Sequence, residues 1–346
     1  MRGISSLSPI NRRRVAIFRR NRRAFCSLIL FAVLFVVCIC AELIANDKPI
    51  ILSYKHQLYF PVFKYYPETT FGGDFETEAN FQDPYIKSLI TEDGWIVWPL
   101  IPYSYNTHIS NLSQSAPSPP DTSNWLGTDD QARDVVARIL YGCRTSILFA
   151  LILAFGSGIM GVAVGAVQGF YGGKIDLLGQ RFLEIWSSLP VLFLLIILAS
   201  IITPNFWWLL GIMLLFSWTS LVDVVRAEFL RGRNLDYVRA ARALGVSNGK
   251  IILRHILPNA MVATMTFMPF LLTGAITTLT SLDFLGFGLP PGSASLGELV
   301  AQGKNNLQAP WLSLSAFGIL SLLLTLLVFI GEGVRDALDP RLISRY

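Results

Sequence analysis

Residues 185–222 read IWSSLPVLFLLIILASIITPNFWWLLGIMLLFSWTSLV, a stretch of 38 residues without a single charge. One helix of that length would reach ~57 Å, well beyond a membrane hydrocarbon core of ~30 Å. Proline ends a helix and supplies a turn, so Thr203-Pro204-Asn205 divides the stretch. The stretch therefore predicts two membrane-spanning helices joined by a short turn.

Four further apolar runs have the length of a membrane span. They are residues 24–41, 145–173, 256–282 and 305–331. The total of six spans predicts an all-α polytopic membrane protein. Charged residues make up only 15% of the 346-residue chain, against roughly a quarter in an average soluble domain, which argues against a soluble enzyme and a disordered protein.

Arginines crowd the first 23 residues, which contain no acidic residue. They are Arg2, Arg12, Arg13, Arg14, Arg19, Arg20, Arg22 and Arg23. A basic head can bind nucleic acid, but directly before an apolar run it is typical of a cytoplasmic anchor under the positive-inside rule. This orientation places both ends of the chain in the cytoplasm and residues 46–127 outside.

The outer insert, residues 46–127, is large and rich in aromatic residues. Alternating patterns at 56–60 and 95–98 predict short strands. Its last part, SQSAPSPP at 113–120, is typical of a stiff linker. Two roles remain open for the insert, a structural cap and a docking or substrate-gathering surface.

A short amphipathic helix is predicted over residues 128–141, before the second span. Thr128 has the character of an N-cap, and Gln131 completes a capping box. Within the second span, Gly161, Gly165 and Gly169 recur every four residues, a spacing that lets membrane helices pack closely.

The longest inner loop predicts two short helices joined by a glycine turn. Asn234 is the predicted cap of a first helix through 236–244. Gly245 suits the position after the helix, where the backbone is left-handed. A second helix is predicted from Asn248 to Ile256, ended by Pro258. From the residues alone, a docking surface for another protein and a merely solvated charged loop are both open.

Chemistry-bearing residues are sparse. Glu184, Asp223 and Asp283 lie in or near predicted spans, where a charge is costly, so they are the intramembrane polar candidates. Asp223 and Arg226 are spaced to pair as i and i+3. The sequence contains no catalytic motif, no phosphate-binding loop and no cysteine or histidine spacing typical of a metal site, so neither a catalytic site nor a metal site is predicted.

Several motifs together resemble one family. The inner loop, DYVRAARALG at 236–245 followed by ILPN at 256–259, resembles the EAA signature of bacterial ABC-importer permeases. The segments WLGTD at 125–129, LDFLGFG at 282–288, APW at 309–311 and RDALDP at 335–340 resemble the C-type permeases of dipeptide and oligopeptide importers. With its large aromatic insert, the chain is most similar to the E subunits of Yej-type importers of microcin C and peptides.

The resemblance implies a type I ABC-importer permease fold in a bacterial inner membrane. The predicted division is a basic cytoplasmic N-terminus (1–23), a first transmembrane helix (24–45), a periplasmic insert of mixed or β character (46–127), the amphipathic helix (128–141), a five-helix permease core (142–331) with a cytoplasmic coupling loop (228–258), and a cytoplasmic C-terminus (332–346). The ATPase-coupling residues that it implies are Arg239, Ala240, Ala241, Arg242, Ala243, Leu244, Gly245 and Pro258. Arg239 replaces the glutamate of the signature, so no fixed acid contact is expected there.

The implied partners are a second permease, cytoplasmic ATPase subunits and a periplasmic peptide-binding protein, with peptide as cargo and lipid around the spans. ATP and Mg would be bound by the ATPase and no cofactor by this chain; no nucleic-acid partner is expected. The rival class is an ion-coupled secondary transporter, which is expected to show repeated halves and discontinuous helices with paired ion-site polar groups; this sequence shows no such internal repeat. A non-transporting membrane scaffold is a second rival.

Overall fold

The computed structural model describes residues 9–112 and 114–339. The predicted cytoplasmic ends thus lie in part outside the described residues, as does Ser113 of the predicted linker. The elements, in chain order, are α1 (Pro9–Arg20), α2 (Arg22–Ile39), α3 (Ala41–Ile44), β1 (Ile51–Tyr54), β2 (Gln57–Tyr59), α4 (Pro84–Glu92), β3 (Gly94–Val97), α5 (Val135–Tyr171), α6 (Gly173–Ser187), α7 (Val191–Ala199), α8 (Phe206–Ser217), α9 (Thr219–Gly232), α10 (Asp236–Ala243), α11 (Asn248–Lys250), α12 (Leu257–Phe284), α13 (Leu296–Asn305) and α14 (Pro310–Leu338).

Among the described residues, five helical segments are long and apolar enough to cross a membrane. They are Arg22–Ile39, Val135–Tyr171, Phe206–Gly232, Asn248–Phe284 and Pro310–Leu338. The number becomes six when α6 and α7, which are bent by 57° at the break between them, are taken as one span. The predicted all-α polytopic fold is confirmed.

The polar residues between the second and third predicted spans are helical. Lys174, Asp176 and Arg181 lie in helix α6, which begins almost directly after α5 ends. The turn predicted around Pro204 is present. Asn205 caps α8 by accepting a hydrogen bond from the Trp208 N–H at 2.9 Å.

The close contact of α5 with α9 depends on the three glycines of the sequence pattern. A Cβ on Gly165 would lie 2.7 Å from the Val222 carbonyl oxygen, and one on Gly169 would lie 2.6 Å from that of Arg226. At Gly161 the nearest backbone atom would be 2.8 Å away. The predicted packing role is confirmed, since any side chain here would push the two backbones apart.

The outer insert has a small core of its own. Its three strands form an antiparallel sheet in the order β2-β1-β3. Phe71 is fully buried beneath this sheet and meets Tyr54, Tyr59 and Phe81 edge-to-face at ring distances of 5.3–5.8 Å. The predicted strands and the mixed character of the insert are thereby observed.

The amphipathic helix predicted over 128–141 begins later, at Val135, and continues without a break as α5. Asp134, not Thr128, is its N-cap. The Thr128 hydroxyl instead accepts the Ser118 N–H at 2.9 Å, so it is committed to the preceding loop. The Thr128 hydroxyl could cap a helix or bind the preceding loop, and in the structure it binds the loop.

A buried ion cluster joins the outer end of α5 to α13. Arg138 and Arg133 donate to Glu298 at 2.9 and 3.2 Å, and Arg133 Nε donates to Asp129 at 2.7 Å. The side chains of Asp129, Arg133 and Arg138 are at most 2% exposed. Two cations meet two carboxylates, so the cluster is neutral as a whole and fixes the outer loops to the span.

Asp134 is an additional carboxylate next to this cluster. Its Oδ1 accepts the Ala137 N–H at 2.9 Å. Burial raises the pKa of Asp134 to about 6, against the lowering effect of its backbone hydrogen bonds, and the charges of Asp121 and Asp129 raise it further. Folding therefore shifts the proton equilibrium of this side chain towards the protonated form.

We expect Asp134→Asn to raise the free energy of unfolding at pH 7. Because the folded-state pKa of about 6 lies above the ordinary 3.8, the stability that Asp134 contributes is complete below pH 3.8 and is lost as the pH rises to about 6. That loss is roughly 3 kcal/mol at most, and asparagine avoids it while still capping the helix. Thermal unfolding of the purified protein in mild detergent, from pH 4 to pH 7, measures the effect. The control is Asp83→Asn at the exposed cap of α4; an equal gain in both variants would contradict the assignment to burial.

Candidate functional site

The inner loop between α9 and α12 contains the predicted coupling residues. Helix α10 spans Asp236–Ala243, close to its predicted bounds. Its N-cap is Leu235, not Asn234, whose side-chain amide donates to the Leu230 carbonyl at 3.1 Å. Gly245 has φ +77°, as predicted for the left-handed residue after a helix, and its N–H donates to the Arg242 carbonyl at 3.0 Å.

The second predicted helix does not end at Pro258. Helix α11 passes through a π-helical turn at Ile251–Ile256 into α12, so residues Asn248–Phe284 form one helical segment. Pro258 lies in the first turn of α12, where the missing N–H costs little because the preceding turn has changed its hydrogen-bond spacing. The inner loop is thus continuous with a membrane span.

One face of the loop packs against the inner ends of the spans. Val238, Ala241, Ile251 and Ile256 are buried in one cluster with Phe229 of α9 and residues of α5. Ala241, one of the ATPase-coupling residues implied by the resemblance, is only 7% exposed and packs within this cluster. This packing fixes the loop to the helices beneath it.

The opposite face is open. Arg239, Ala240, Ala243 and Leu244 are exposed, and Leu244 has 84% of its surface free. The Arg242 guanidinium lies 5.5 Å from the centre of the Phe170 ring, so this arginine also fastens the loop to α5. The loop presents a small, partly basic, partly apolar projection beside its glycine turn.

Tyr237 braces the two halves of the loop. Its hydroxyl donates to the His255 carbonyl at 3.3 Å and accepts the Asn259 amide at 3.2 Å. These contacts were not foreseen from the sequence, because a single tyrosine on a helix gives no signal of its partner. They hold α10 against the start of α12.

The intramembrane polar candidates are held by separate local contacts. Glu184 is exposed on α6 and pairs with Arg181 at 2.5 Å. Asp283 at the outer end of α12 accepts the Ser295 hydroxyl and the Leu289 N–H, so it holds the loop before α13. Neither arrangement resembles a paired ion-binding site.

Asp223 and Arg226 do not pair with each other as predicted. Arg226 makes a two-pronged contact with Asp176 of α6, and its Nη2 lies 2.8 Å from Asp176 Oδ2. Asp223 instead accepts the Gln180 side-chain amide at 3.3 Å. The tertiary contact prevails because α6 lies beside α9, which the sequence spacing did not show.

In the described part of the chain, no group of three or more His, Cys, Asp or Glu residues is placed to hold a metal ion.

The comparison with protein families concerns the region that contains this loop. The model described as "binding-protein-dependent transport system inner membrane component" matches residues 161–344, which include α6 to α14. The chain belongs to this family. It is therefore a multi-pass inner-membrane permease of an ABC importer, and the predicted type I permease fold is confirmed.

The permease is similar over nearly its full length to two curated relatives. It is 59% identical to the inner membrane ABC transporter permease protein YejE of Escherichia coli K12, over 97% of this chain and 99% of that protein. It is 56% identical to the peptidoglycan transport system permease protein YejE of Agrobacterium fabrum C58, over 96% and 94%. It is 34% identical to the oligopeptide transport system permease protein OppC of Haemophilus influenzae, over 74% of this chain and 81% of that protein.

Proposed function

We propose that this permease imports peptides and that the loop formed by α10, Gly245 and α11 couples it to a cytoplasmic ATPase. The cargo class follows the relatives, one named for oligopeptide transport and one for peptidoglycan transport. It includes oligopeptides and peptide antibiotics such as microcin C, the cargo of the Yej-type importers that the chain resembles.

The observation that carries the coupling role is the two-sided construction of the loop. Its buried face is fixed to α5 and α9. On the opposite face, Leu244 is exposed beside the turn at Gly245, which requires a residue in the left-handed backbone conformation. A protein bound to that projection would transmit force directly to the spans. A permease requires such a transmission of force when ATP is hydrolysed on another subunit.

The remaining partners complete the transport cycle. A second permease would form the other half of the pore, and a periplasmic peptide-binding protein would deliver cargo to the outer face. ATP and Mg would be bound by the ATPase subunits, while this chain contributes no ATP site. Under the positive-inside rule, the arginines of α1 support a cytoplasmic N-terminus, on the same side as the coupling loop.

Leu244→Asp is expected to weaken ATPase binding and to abolish ATP-driven uptake. A carboxylate in place of an exposed leucine at the centre of an apolar contact leaves a charge to be buried without a partner, which costs roughly 2–5 kcal/mol. Co-purification of the ATPase with the tagged permease measures binding, and uptake into proteoliposomes measures transport. The matched control is Leu307→Asp, because Leu307 is also 84% exposed but lies in the outer loop between α13 and α14.

The two variants also separate this proposal from its rivals. Loss of ATPase binding in Leu244→Asp alone supports coupling through the inner loop. Equal behaviour of the two variants would contradict it. Uptake by the purified permease without any ATPase, driven by an ion gradient, would favour the secondary-transporter class.

A further inference from the structure

A cavity of about 280 Å³ lies between α5, α8, α9 and α12. Its floor is buried and includes Ser157 and Met213, while Ser220 and Gly274 on its rim are exposed. At about 30 Å³ per water molecule, a space of this size holds roughly nine waters. It is too large to be a packing defect and is open on one side.

The Ser157 hydroxyl is a buried polar group that faces the cavity without a hydrogen-bond partner among the described residues. The residue is 2% exposed and lines the cavity, yet within the described part of the chain its Oγ has no hydrogen-bond partner. A buried hydroxyl without a partner costs about 1–3 kcal/mol, so its place in the fold calls for a partner that enters from the cavity.

The cavity also lies at the junction of α8 and α9, within the span Phe206–Gly232. Helix α8 ends at Ser217 and α9 begins at Thr219. Two indole N–H groups, of Trp186 and Trp218, donate to the Leu215 carbonyl at 2.8 and 2.7 Å. Ser217 and Ser220, on either side of this junction, both line the cavity.

Hydroxyl groups form most of the polar lining. Besides Ser157, the lining includes Ser217, Ser220 and Thr278, and none of the described residues that line the cavity is charged. Beside the cavity lining, Thr273, Thr277 and Ser281 follow at intervals of four residues along a neighbouring face of α12. Residues at this spacing share a helix face, so a row of hydroxyls runs beside the cavity towards the outer end of the span.

We propose that this hydroxyl-lined cavity is a binding site for the backbone of the transported peptide at the middle of the membrane. Serine and threonine hydroxyls both donate and accept, so they match the alternating N–H and C=O groups of any peptide regardless of its side chains. A site without charge holds the backbone weakly enough to release it. The inference rests on the proposed peptide-import function and adds the place where this chain touches its cargo.

Filling the cavity tests the site directly. A Cβ added at Gly274 would meet no atom within 4 Å, so Gly274→Leu fills the space without disturbing the helix. The matched control is Gly211→Leu on α8, where a Cβ is equally free but does not face the cavity. In proteoliposomes containing the whole importer and a tritiated pool of tryptic peptides, we expect Gly274→Leu to lower the maximal uptake rate about ten-fold, equivalent to about 1.4 kcal/mol. Gly211→Leu is expected to keep the wild-type rate.

A second pair of variants removes only a hydroxyl. Ser157→Ala is expected to leave thermal stability equal or higher, since no hydrogen bond within the protein is lost, while uptake falls about five-fold, as for one hydrogen bond to cargo. Its control is Thr280→Val, because the Thr280 hydroxyl is also buried and unpartnered but does not line the cavity. Thr280→Val is expected to transport normally.

The outcomes separate the two proposals. If Gly274→Leu and Ser157→Ala take up peptide as fast as the wild-type importer, the cavity site is overturned and the proposed peptide import stands. Loss of the second permease on purification of Gly274→Leu would also overturn it, because the face would then be a subunit interface. Absence of ATP-driven peptide uptake by the wild-type importer would overturn the proposed function and the cavity site with it.

Discussion

A leucine in place of Gly165 is expected to prevent α5 from packing against α9, so that little folded permease is recovered. The new Cβ alone would lie 2.7 Å from the Val222 carbonyl oxygen and 3.1 Å from the Arg226 nitrogen. Both are backbone atoms, so no change of side-chain rotamer relieves the contact. Overpacking costs about 1–3 kcal/mol even where side chains can move, and here the two helix axes must separate.

Size-exclusion chromatography of the tagged chain in mild detergent measures this effect. We expect the monodisperse peak to fall roughly ten-fold, equivalent to at least about 1.4 kcal/mol. Gly318→Leu is the control, because Gly318 lies within membrane helix α14 and a Cβ there meets open space. Normal recovery of Gly165→Leu would show that α5 and α9 do not approach as closely as the structure has them.

Arg138→Met is expected to destabilise the permease by roughly 3–5 kcal/mol, the usual cost of removing one partner from a buried ion pair. The Arg138 side chain is fully buried, and its guanidinium binds Glu298 at 2.9 Å and the Ser293 carbonyl at 2.9 Å. Methionine keeps most of the volume but leaves Glu298 and Asp129 facing a single cation, Arg133. The loss appears as a lower unfolding temperature in detergent.

A double variant separates the charge from the packing of Arg138. If the uncompensated carboxylate is the main cost, Arg138→Met combined with Glu298→Gln should recover a large part of the lost stability. The exposed pair of Arg231 and Glu228 gives the control, since Arg231→Met removes an ion pair that is open to solvent and contributes at most about 1 kcal/mol. Equal losses in Arg138→Met and Arg231→Met would contradict the buried-network interpretation.

The sequence predicts the spans well because the solvent dictates them. A run such as residues 305–331 has one stable arrangement in lipid, and α14 occupies it. The turn at Gly245 and the close approach at Gly165 were also predictable, because each depends on a residue type with few alternatives. These signals are local or periodic, and a single sequence is enough to show them.

Contacts between distant segments were not predictable in the same way. Arg226 has an acid at i−3, which suggested a local pair, but its partner is Asp176, 50 residues away. Thr128 and Asp134 are both suitable caps, and only the position of Ser118 decides between them. The inward orientation of Ala241 depends on which side of α10 meets α5. In each case several partners satisfy the same chemistry, and the tertiary structure selects one.

The continuity of α11, the π turn and α12 has a mechanical consequence. The segment Asn248–Phe284 has 37 residues, so if it moved as one body it would be a lever of ~55 Å from the inner loop to the outer loop held by Asp283. Pro269 interrupts its hydrogen bonds near the midpoint and offers a fulcrum. A tilt of about 10° around that point would carry the two ends ~5 Å in opposite directions. Opening on one side of the membrane would then entail closing on the other.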